Sequence, residues 1–154
     1  MKRFIWALVV VAVCFGGGSS QSVATKQLPV FVIHGPTVVA FFPPVTEKDL
    51  NSDPDTNEAL SDFQFYNGAV RARLQKAGIE FREAYARSFR IRNGAKVQTF
   101  RTGKIWIGYY FVAPGKEPRI EYSVMTDAGL LDVACEYFGI ALPKEGSTSP
   151  HCSK

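Results

Sequence analysis

The stretch that decides the fold is residues 105–138, which read IWIGYYFVAPGKEPRIEYSVMTDAGLLDVACEYF. Its first part, residues 105–112, is apolar on both faces apart from Gly108, a pattern that predicts a central strand covered on both sides. The next four residues, APGK, place Pro114 and Gly115 at the second and third positions of a type II turn. A β-hairpin is therefore expected to begin here.

The rest of this stretch predicts the returning strand of the hairpin and then a helix. Pro118 cannot donate a ladder hydrogen bond, so the returning strand is expected at a sheet edge. Thr126 is a suitable helix N-cap and Gly139 a suitable helix end. Between them, apolar residues recur at helical spacing, namely Leu131, Ala134, Cys135 and Phe138.

The segments before residue 79 predict two strands and one long helix. Residues 28–33 fit a short strand, and the β-branched and aromatic residues 37–42, TVVAFF, fit a buried strand beside residues 105–112. Apolar residues three, four or seven apart predict a helix that starts near Asp55 and stops at Gly78. Gly68 within this helix predicts a close packing contact or a kink.

Residues 79–92 fit a strand better than a helix, although a helix over residues 80–88 is the alternative. The following Asn93-Gly94 is typical of a type I′ hairpin turn that pairs residues 89–92 with residues 95–101. With Asn93 and Gly94 as the two loop residues, Arg92 would lie opposite Ala95.

The first 24 residues have the order of a signal peptide: basic residues, an apolar run over residues 4–15, and small residues at Ser22 and Ala24. The apolar run is shorter than the roughly 20 residues of a membrane span. We expect an exported protein, periplasmic or secreted, in which residues 25–142 form one domain and residues 143–154 a disordered tail. Retention of the segment as an uncleaved anchor and lipidation at Cys14 are the alternatives.

Charge is unevenly distributed along the chain. Removal of residues 1–24 leaves 16 basic and 14 acidic residues, a net charge of only +2. Residues 47–62 hold six acidic residues against Lys48, whereas residues 71–104 hold ten basic residues against Glu80 and Glu83. The two segments are therefore candidate sites of opposite kind.

Residues 37–49, TVVAFFPPVTEKD, and residues 107–138 resemble parts of thioredoxin-like proteins. The first resembles the strand and turn that lead to the reactive thiol, and the second the closing hairpin and helix. The resemblance implies an α/β fold, a three-layer sandwich whose mixed central sheet is flanked by helices and closed by a β-hairpin and a C-terminal helix. Pro43 and Pro44 stand where the family has its thiols, and residues 104–108 lack its cis-proline. The resemblance therefore implies the scaffold without thioredoxin chemistry.

Two cysteines, Cys135 and Cys152, follow the signal segment. An exported compartment permits a disulfide between them, which would join the tail to the last helix. The alternative is a buried, inert thiol at Cys135 with Cys152 unpaired. A redox protein in which both thiols exchange with those of a partner is a second functional hypothesis, although no C-x-x-C motif is present.

Motifs of metal hydrolysis, serine hydrolysis and nucleotide binding are missing from the sequence, and this argues against an enzyme. The two histidines, His34 and His151, stand far apart in sequence, and no metal or cofactor is predicted. The acidic segment, with Glu47, Asp49 and Asp53, supplies a third hypothesis, a hydrolase that uses paired carboxylates.

The basic stretch supports the leading hypothesis, an exported, non-catalytic binding or interaction domain. Arginine presents a planar donor fork that suits phosphate and carboxylate groups. The expected partner is an anionic envelope component or an acidic protein surface, and not nucleic acid. A solvated hairpin, or one paired with the acidic loop, is the alternative. The candidate binding residues are Arg82, Arg90, Arg92, Lys96, Arg101 and Lys104.

Overall fold

The computed structural model describes residues 28–101 and 107–142. The predicted signal segment, the predicted tail and Lys104 lie outside these residues. The elements, in chain order, are β1 (Val30–Ile33), β2 (Thr37–Phe42), α1 (Glu47–Ser52), α2 (Pro54–Lys76), β3 (Glu80–Tyr85), β4 (Ser88–Asn93), β5 (Lys96–Arg101), β6 (Gly108–Val112), β7 (Arg119–Glu121) and α3 (Asp127–Phe138).

The strands form two mixed sheets. The four-stranded sheet has the order β3-β2-β6-β7, with β2 parallel to β3 and the β2–β6 and β6–β7 pairs antiparallel. The three-stranded sheet has the order β1-β4-β5, with β1 parallel to β4 and β4 antiparallel to β5. The predicted placement of residues 37–42 beside the closing hairpin is confirmed, and β7 lies at a sheet edge as expected.

Two apolar cores lie on the two faces of the four-stranded sheet. On one face, α2 and α3 pack over the sheet through residues such as Phe63, Leu74 and Leu131. On the other face, the three-stranded sheet packs through Phe89 and Ile91 against Phe41, Val39, Tyr110 and Val112. Because β2 and β6 contribute to both cores, every residue of these two strands is buried.

The architecture is thus mixed α/β, with two mixed sheets and three helices among the described residues. The expected mixed sheet is present, but in the described residues helices cover only one of its faces, and the expectation of helices on both sides is wrong. A three-stranded sheet covers the other face, because the chain after β3 continues as the β4–β5 hairpin and not as a helix. Phe89 and Ile91 alternate with polar residues in β4, and this period suits a half-buried strand.

Local signals in the closing segment are confirmed. Gly115 has a φ of 73°, and the Lys116 amide donates to the Ala113 carbonyl at 3.3 Å, as the type II turn requires. Thr126 caps α3 by accepting a hydrogen bond from the Gly129 amide at 3.3 Å. Gly139 ends α3 with a φ of 69°.

The interpretation of residues 79–92 as strand is confirmed for β3 and β4, and the helical alternative over residues 80–88 is wrong. The segment is nevertheless two strands in two different sheets, because the chain bends at Ala86 and Arg87. Of the two alternatives predicted at Gly68, the close packing contact is wrong, and the kink stays a prediction. A Cβ atom added there would meet no atom within 4 Å, so the outer side of α2 is open at this residue.

A buried tyrosine in the helix-covered core makes the fold sensitive to alkaline pH. Tyr109 is fully buried, and burial raises its pKa to about 12 from an ordinary value of 10.0. The unfolded chain therefore loses this proton at lower pH than the folded protein. Stability from this group is complete below pH 10 and declines as the pH rises towards 12, by about 2–3 kcal/mol for a shift of this size.

We expect the free energy of unfolding of the protein to fall over this alkaline range, and to fall less in a Tyr109→Phe variant. Urea unfolding at stepped pH, with tyrosinate absorbance recorded in parallel, measures both. Complete tyrosine ionisation in the folded protein near pH 10 would contradict this assignment.

Candidate functional site

The β4–β5 hairpin, which carries most of the predicted binding residues, has a different turn from the one predicted. Gly94 has a φ of 59°, while no residue other than glycine has a positive φ in the described residues. A glycine with positive φ at the first central position is typical of a type II′ turn, so the two loop residues are Gly94 and Ala95. Asn93 then pairs with Lys96, and Arg92 lies opposite Val97 and not opposite Ala95.

This register separates the predicted basic residues into two groups. Paired residues of a sheet project to the same face, and successive residues to opposite faces. Arg90 and Arg92 therefore share a face with Arg101, which lies opposite Ser88. Lys96 pairs with Asn93 on the other face, which is turned towards the four-stranded sheet.

We call the first of these the outer face of the three-stranded sheet. β1 contributes Val30 and Val32, because these residues pair with Arg90 and Arg92. Within the described residues no helix or strand covers this face, and both arginines are exposed. Its members are Val30 and Val32 of β1, Ser88, Arg90 and Arg92 of β4, and Val97, Thr99 and Arg101 of β5.

The three arginines of the outer face form a short cationic row. Arg90 and Arg92 are two residues apart on one strand, a spacing of about 7 Å. Arg101 lies diagonally across from Arg90 on the neighbouring strand, about 7–8 Å away. None of the three strands contains an aspartate or a glutamate, so the positive charge of the row is not neutralised on the sheet itself.

The remaining predicted binding residues do not join this row. Arg82 belongs to the other sheet, where its guanidinium pairs with the Glu80 carboxylate at 2.6 Å and lies 5.9 Å from the centre of the Phe31 ring. Lys96 faces the opposite side of the hairpin, and Lys104 lies outside the described residues. The structure therefore brings together Arg90, Arg92 and Arg101 alone.

Two further arginines of the described chain, Arg71 and Arg119, pair with carboxylates. Arg71 pairs with Glu83 at 2.6 Å, and Arg119 pairs with Glu121 at 2.6 Å and Glu136 at 2.7 Å. Hydrogen bonds from Arg119 to both carboxylates raise the pKa of its guanidinium. No such pair involves Arg90, Arg92 or Arg101 within the part of the chain that the structure describes.

Exposed aliphatic side chains flank the cationic row, and the sequence-based prediction did not include them. Val30 is 46% exposed and Val97 is 50% exposed, on the strands either side of β4. Leu28, just before β1, is also exposed. The signal was present in the alternation of Val30 and Val32 with Phe31 and Ile33, which gives β1 an apolar residue on both faces.

Two carboxylates of the acidic segment accept hydrogen bonds from nearby threonines. Thr46 donates to the Asp49 carboxylate through its amide and its hydroxyl, both at 2.8 Å, and these hydrogen bonds lower the pKa of Asp49. Asp53 accepts from the Thr56 hydroxyl at 2.6 Å, which lowers its pKa in the same way. A lowered pKa favours the charged form, and a general acid needs the opposite shift, so the hydrolase hypothesis stays a prediction without support from these two residues.

Cys135 is disulfide-bonded in the structure. Its side chain is only 3% exposed, on the face of α3 that packs into the helix-covered core. Its bonding partner lies outside the described residues, so pairing with Cys152 stays a prediction. Reactive cysteines are partly exposed in electropositive surroundings, and burial of Cys135 is the opposite arrangement.

The described residues contain no cluster of three or more potential metal-ligating side chains. Across residues 28–101 and 107–142, none of the helices is both long enough and apolar enough to cross a membrane. Comparison of the chain with models of protein families, with curated proteins and with solved structures finds no match. The outer face therefore has to be interpreted from its own geometry.

Proposed function

We propose that this protein is an exported, non-catalytic binding domain on a thioredoxin-like scaffold, and that its outer face binds an anionic phospholipid surface. The observation that carries the proposal is the row of Arg90, Arg92 and Arg101 on an uncovered sheet face without an acidic residue. Export is the expectation from residues 1–24, and it would bring this face into contact with envelope lipids.

The chemistry of the row suits a phosphate-bearing surface. Guanidinium groups donate two hydrogen bonds in parallel to phosphate oxygens, and three of them spaced along a sheet can engage neighbouring headgroups. Arg71, Arg82 and Arg119 pair with carboxylates of this chain, whereas no carboxylate of residues 28–101 or 107–142 pairs with the row. These arginines are therefore able to pair with negative charges that a partner supplies.

The aliphatic side chains favour lipid over a glycan or an acidic protein patch. Val30 and Val97 project from the strands on either side of the arginines, so contact with headgroup phosphates would bring both towards the acyl boundary. Combined electrostatic attraction and apolar burial is the usual basis of membrane-surface binding. A purely hydrophilic polyanion would leave these valines without a partner.

The order of elements supports the scaffold part of the proposal. β2, α2 and β3 form a parallel crossover unit, and β6, β7 and α3 follow as hairpin and helix on the same sheet. This is the order of parts on which the resemblance rests. The chain between them, β4 and β5, forms the sheet that carries the proposed binding face.

Vesicle binding tests the proposal. We expect the exported protein to sediment with vesicles of phosphatidylglycerol and phosphatidylcholine, and not with phosphatidylcholine alone. The Arg90→Ala/Arg92→Ala variant should bind about 30-fold more weakly, since each basic residue near an anionic surface contributes about 1 kcal/mol. Binding should also weaken with added salt, because screening is effective beyond about 8 Å at physiological ionic strength.

A Lys48→Ala/Lys76→Ala variant is the matched control. It loses two positive charges, as the arginine variant does, but from α1 and α2 and not from the outer face. It should bind nearly as well as the unmodified protein. Equal loss in the two variants would show that net charge alone acts, and would overturn the proposal. So would retention on heparin without vesicle binding, which would assign the row to a glycan.

A further inference from the structure

A cleft opens between the two sheets at the end where the β4–β5 turn approaches the β6–β7 turn. Its volume is about 480 Å³, within the range of sites that hold small organic molecules. One wall is the inner face of the hairpin, and the other consists of β6 and the turn that follows it. The lining residues that matter here are Ile91, Asn93, Lys96, Gln98, Tyr110 and Val112.

The inner face of the hairpin changes character along its length. Phe89, Ile91 and Phe100 are apolar and pack between the sheets. Further towards the turn the same face carries Asn93, Gln98 and Lys96. Inward-facing positions of a sandwich are normally apolar, so three polar side chains at consecutive inward positions of this ribbon mark a place where the sheets do not close on each other.

The base of the cleft is apolar. The side chains of Ile91 and Val112 belong to the core between the sheets, and Tyr110 is almost fully buried beside them. Burial raises the pKa of the Tyr110 hydroxyl, which therefore stays protonated at neutral pH. A ligand that entered the cleft would meet hydrocarbon and an aromatic ring at its inner end.

Two amide side chains of the cleft form hydrogen bonds within its walls. The Tyr110 hydroxyl lies 3.5 Å from Gln98 Oε1 and donates to it, which leaves the Gln98 amide N–H groups for other acceptors. The Asn93 amide nitrogen donates to the Ala113 carbonyl at 3.4 Å. These contacts fix both amide side chains against β6 and its turn.

Only one of the two lysines that line the cleft remains available. Lys116 Nζ donates to the Tyr137 carbonyl and lies 4.6 Å from the centre of the Tyr137 ring. Lys96 has no ion pair with a carboxylate in the described residues. Glu117 also lines the cleft, and its charge disfavours a doubly charged anion such as phosphate.

We infer that this cleft binds a small monocarboxylic acid, with the carboxylate on the Lys96 ammonium and the Gln98 amide and the apolar body against Ile91, Tyr110 and Val112. The site is independent of the proposed membrane-binding face, because Lys96 lies on the opposite side of the hairpin from Arg90 and Arg92. A single available cation with an adjacent neutral donor matches one negative charge, and the apolar base excludes a fully hydrophilic ligand.

The test is an amide NMR titration of the exported protein with sodium phenylacetate as the probe. Phenylacetate concentrations up to about 10 mM detect a dissociation constant in the millimolar range. We expect saturable shifts at Gln98, Val112 and Gly115. Phenylacetamide, which lacks the charge, should bind at least about tenfold more weakly, and inorganic phosphate should not produce these shifts.

Lys96→Met removes the ammonium while keeping an unbranched side chain, and it should weaken phenylacetate binding by about tenfold or more. Lys96→Arg should restore much of the affinity. Lys76→Met, which removes a charge from α2, should leave affinity unchanged. Saturable shifts that are the same in Lys96→Met, or no shifts at these amides across the whole range, would overturn the inference.

Discussion

Replacement of Gly108 by alanine is expected to unfold or severely destabilise the protein, by more than about 3 kcal/mol. A Cβ atom at this position would overlap the backbone carbonyl oxygen of Glu121 and approach Cζ of Phe41 to 3.0 Å. The carbonyl belongs to β7, and Phe41 is fully buried between the sheets. The carbonyl cannot move away without loss of the β6–β7 pairing, and the Phe41 ring cannot move away without loss of aromatic packing.

The measurement is urea unfolding followed by circular dichroism, with Gly68→Ala as the matched control. Gly68 lies inside α2, and an added Cβ would meet no atom there within 4 Å. Because alanine is favoured over glycine in a helix by about 1 kcal/mol, this variant should be more stable than the parent protein. A Gly108→Ala protein that unfolds at the parent's urea concentration would show that β6 and β7 do not approach as described.

Replacement of Phe63 by alanine is expected to lower the free energy of unfolding by about 3–5 kcal/mol. Phe63 is fully buried on the inner side of α2. Its ring centre lies 5.2 Å from that of Phe42 and 6.0 Å from that of Tyr109, so it joins the helix to both central strands. Removal of the ring would leave a cavity that rigid strands on the other side cannot fill.

Phe65, two residues further along the same helix, provides the matched control. It is 72% exposed and contacts the neighbouring Tyr66 ring, so its replacement by alanine should change stability by less than about 0.5 kcal/mol. Both substitutions change helix propensity equally, and the difference between them therefore measures burial alone. Equal losses in the two variants would mean that α2 does not present Phe63 to the sheet.

Much of the fold was predictable because its signals are local. The TVVAFF strand, the turn at Pro114 and Gly115, and the caps at Thr126 and Gly139 depend on residues close in sequence, and all are confirmed. The second sheet was not predicted, because the pairing of β1 with β4 joins segments about 60 residues apart. The fully buried Asn67 of α2 was missed for another reason, since polar residues do not contribute to an apolar repeat.

The candidate site was predictable in its residue types and not in its geometry. Arg90, Arg92 and Arg101 share a face as expected, but Lys96 does not, and the turn begins one residue later than Asn93-Gly94 suggested. The later turn shifts the pairing by two residues, so Lys96 lies opposite this face in the predicted register as well as in the observed one. The sequence contained the information needed to place Lys96 correctly. Phe100 and Lys96 are four residues apart on one strand, so placing Phe100 in the core also turns Lys96 inward, away from Arg101.

The central claim is that the outer face of the three-stranded sheet contacts an anionic lipid surface. The most direct measurement is paramagnetic broadening of amide NMR signals by phosphatidylglycerol nanodiscs that carry a spin label on the headgroup. We expect the strongest broadening at Val32, Arg90, Arg92 and Thr99. Amides near Phe65 on α2, beyond the four-stranded sheet, should remain sharp. Broadening strongest on α2, or equal on both sides of the molecule, would contradict the claim.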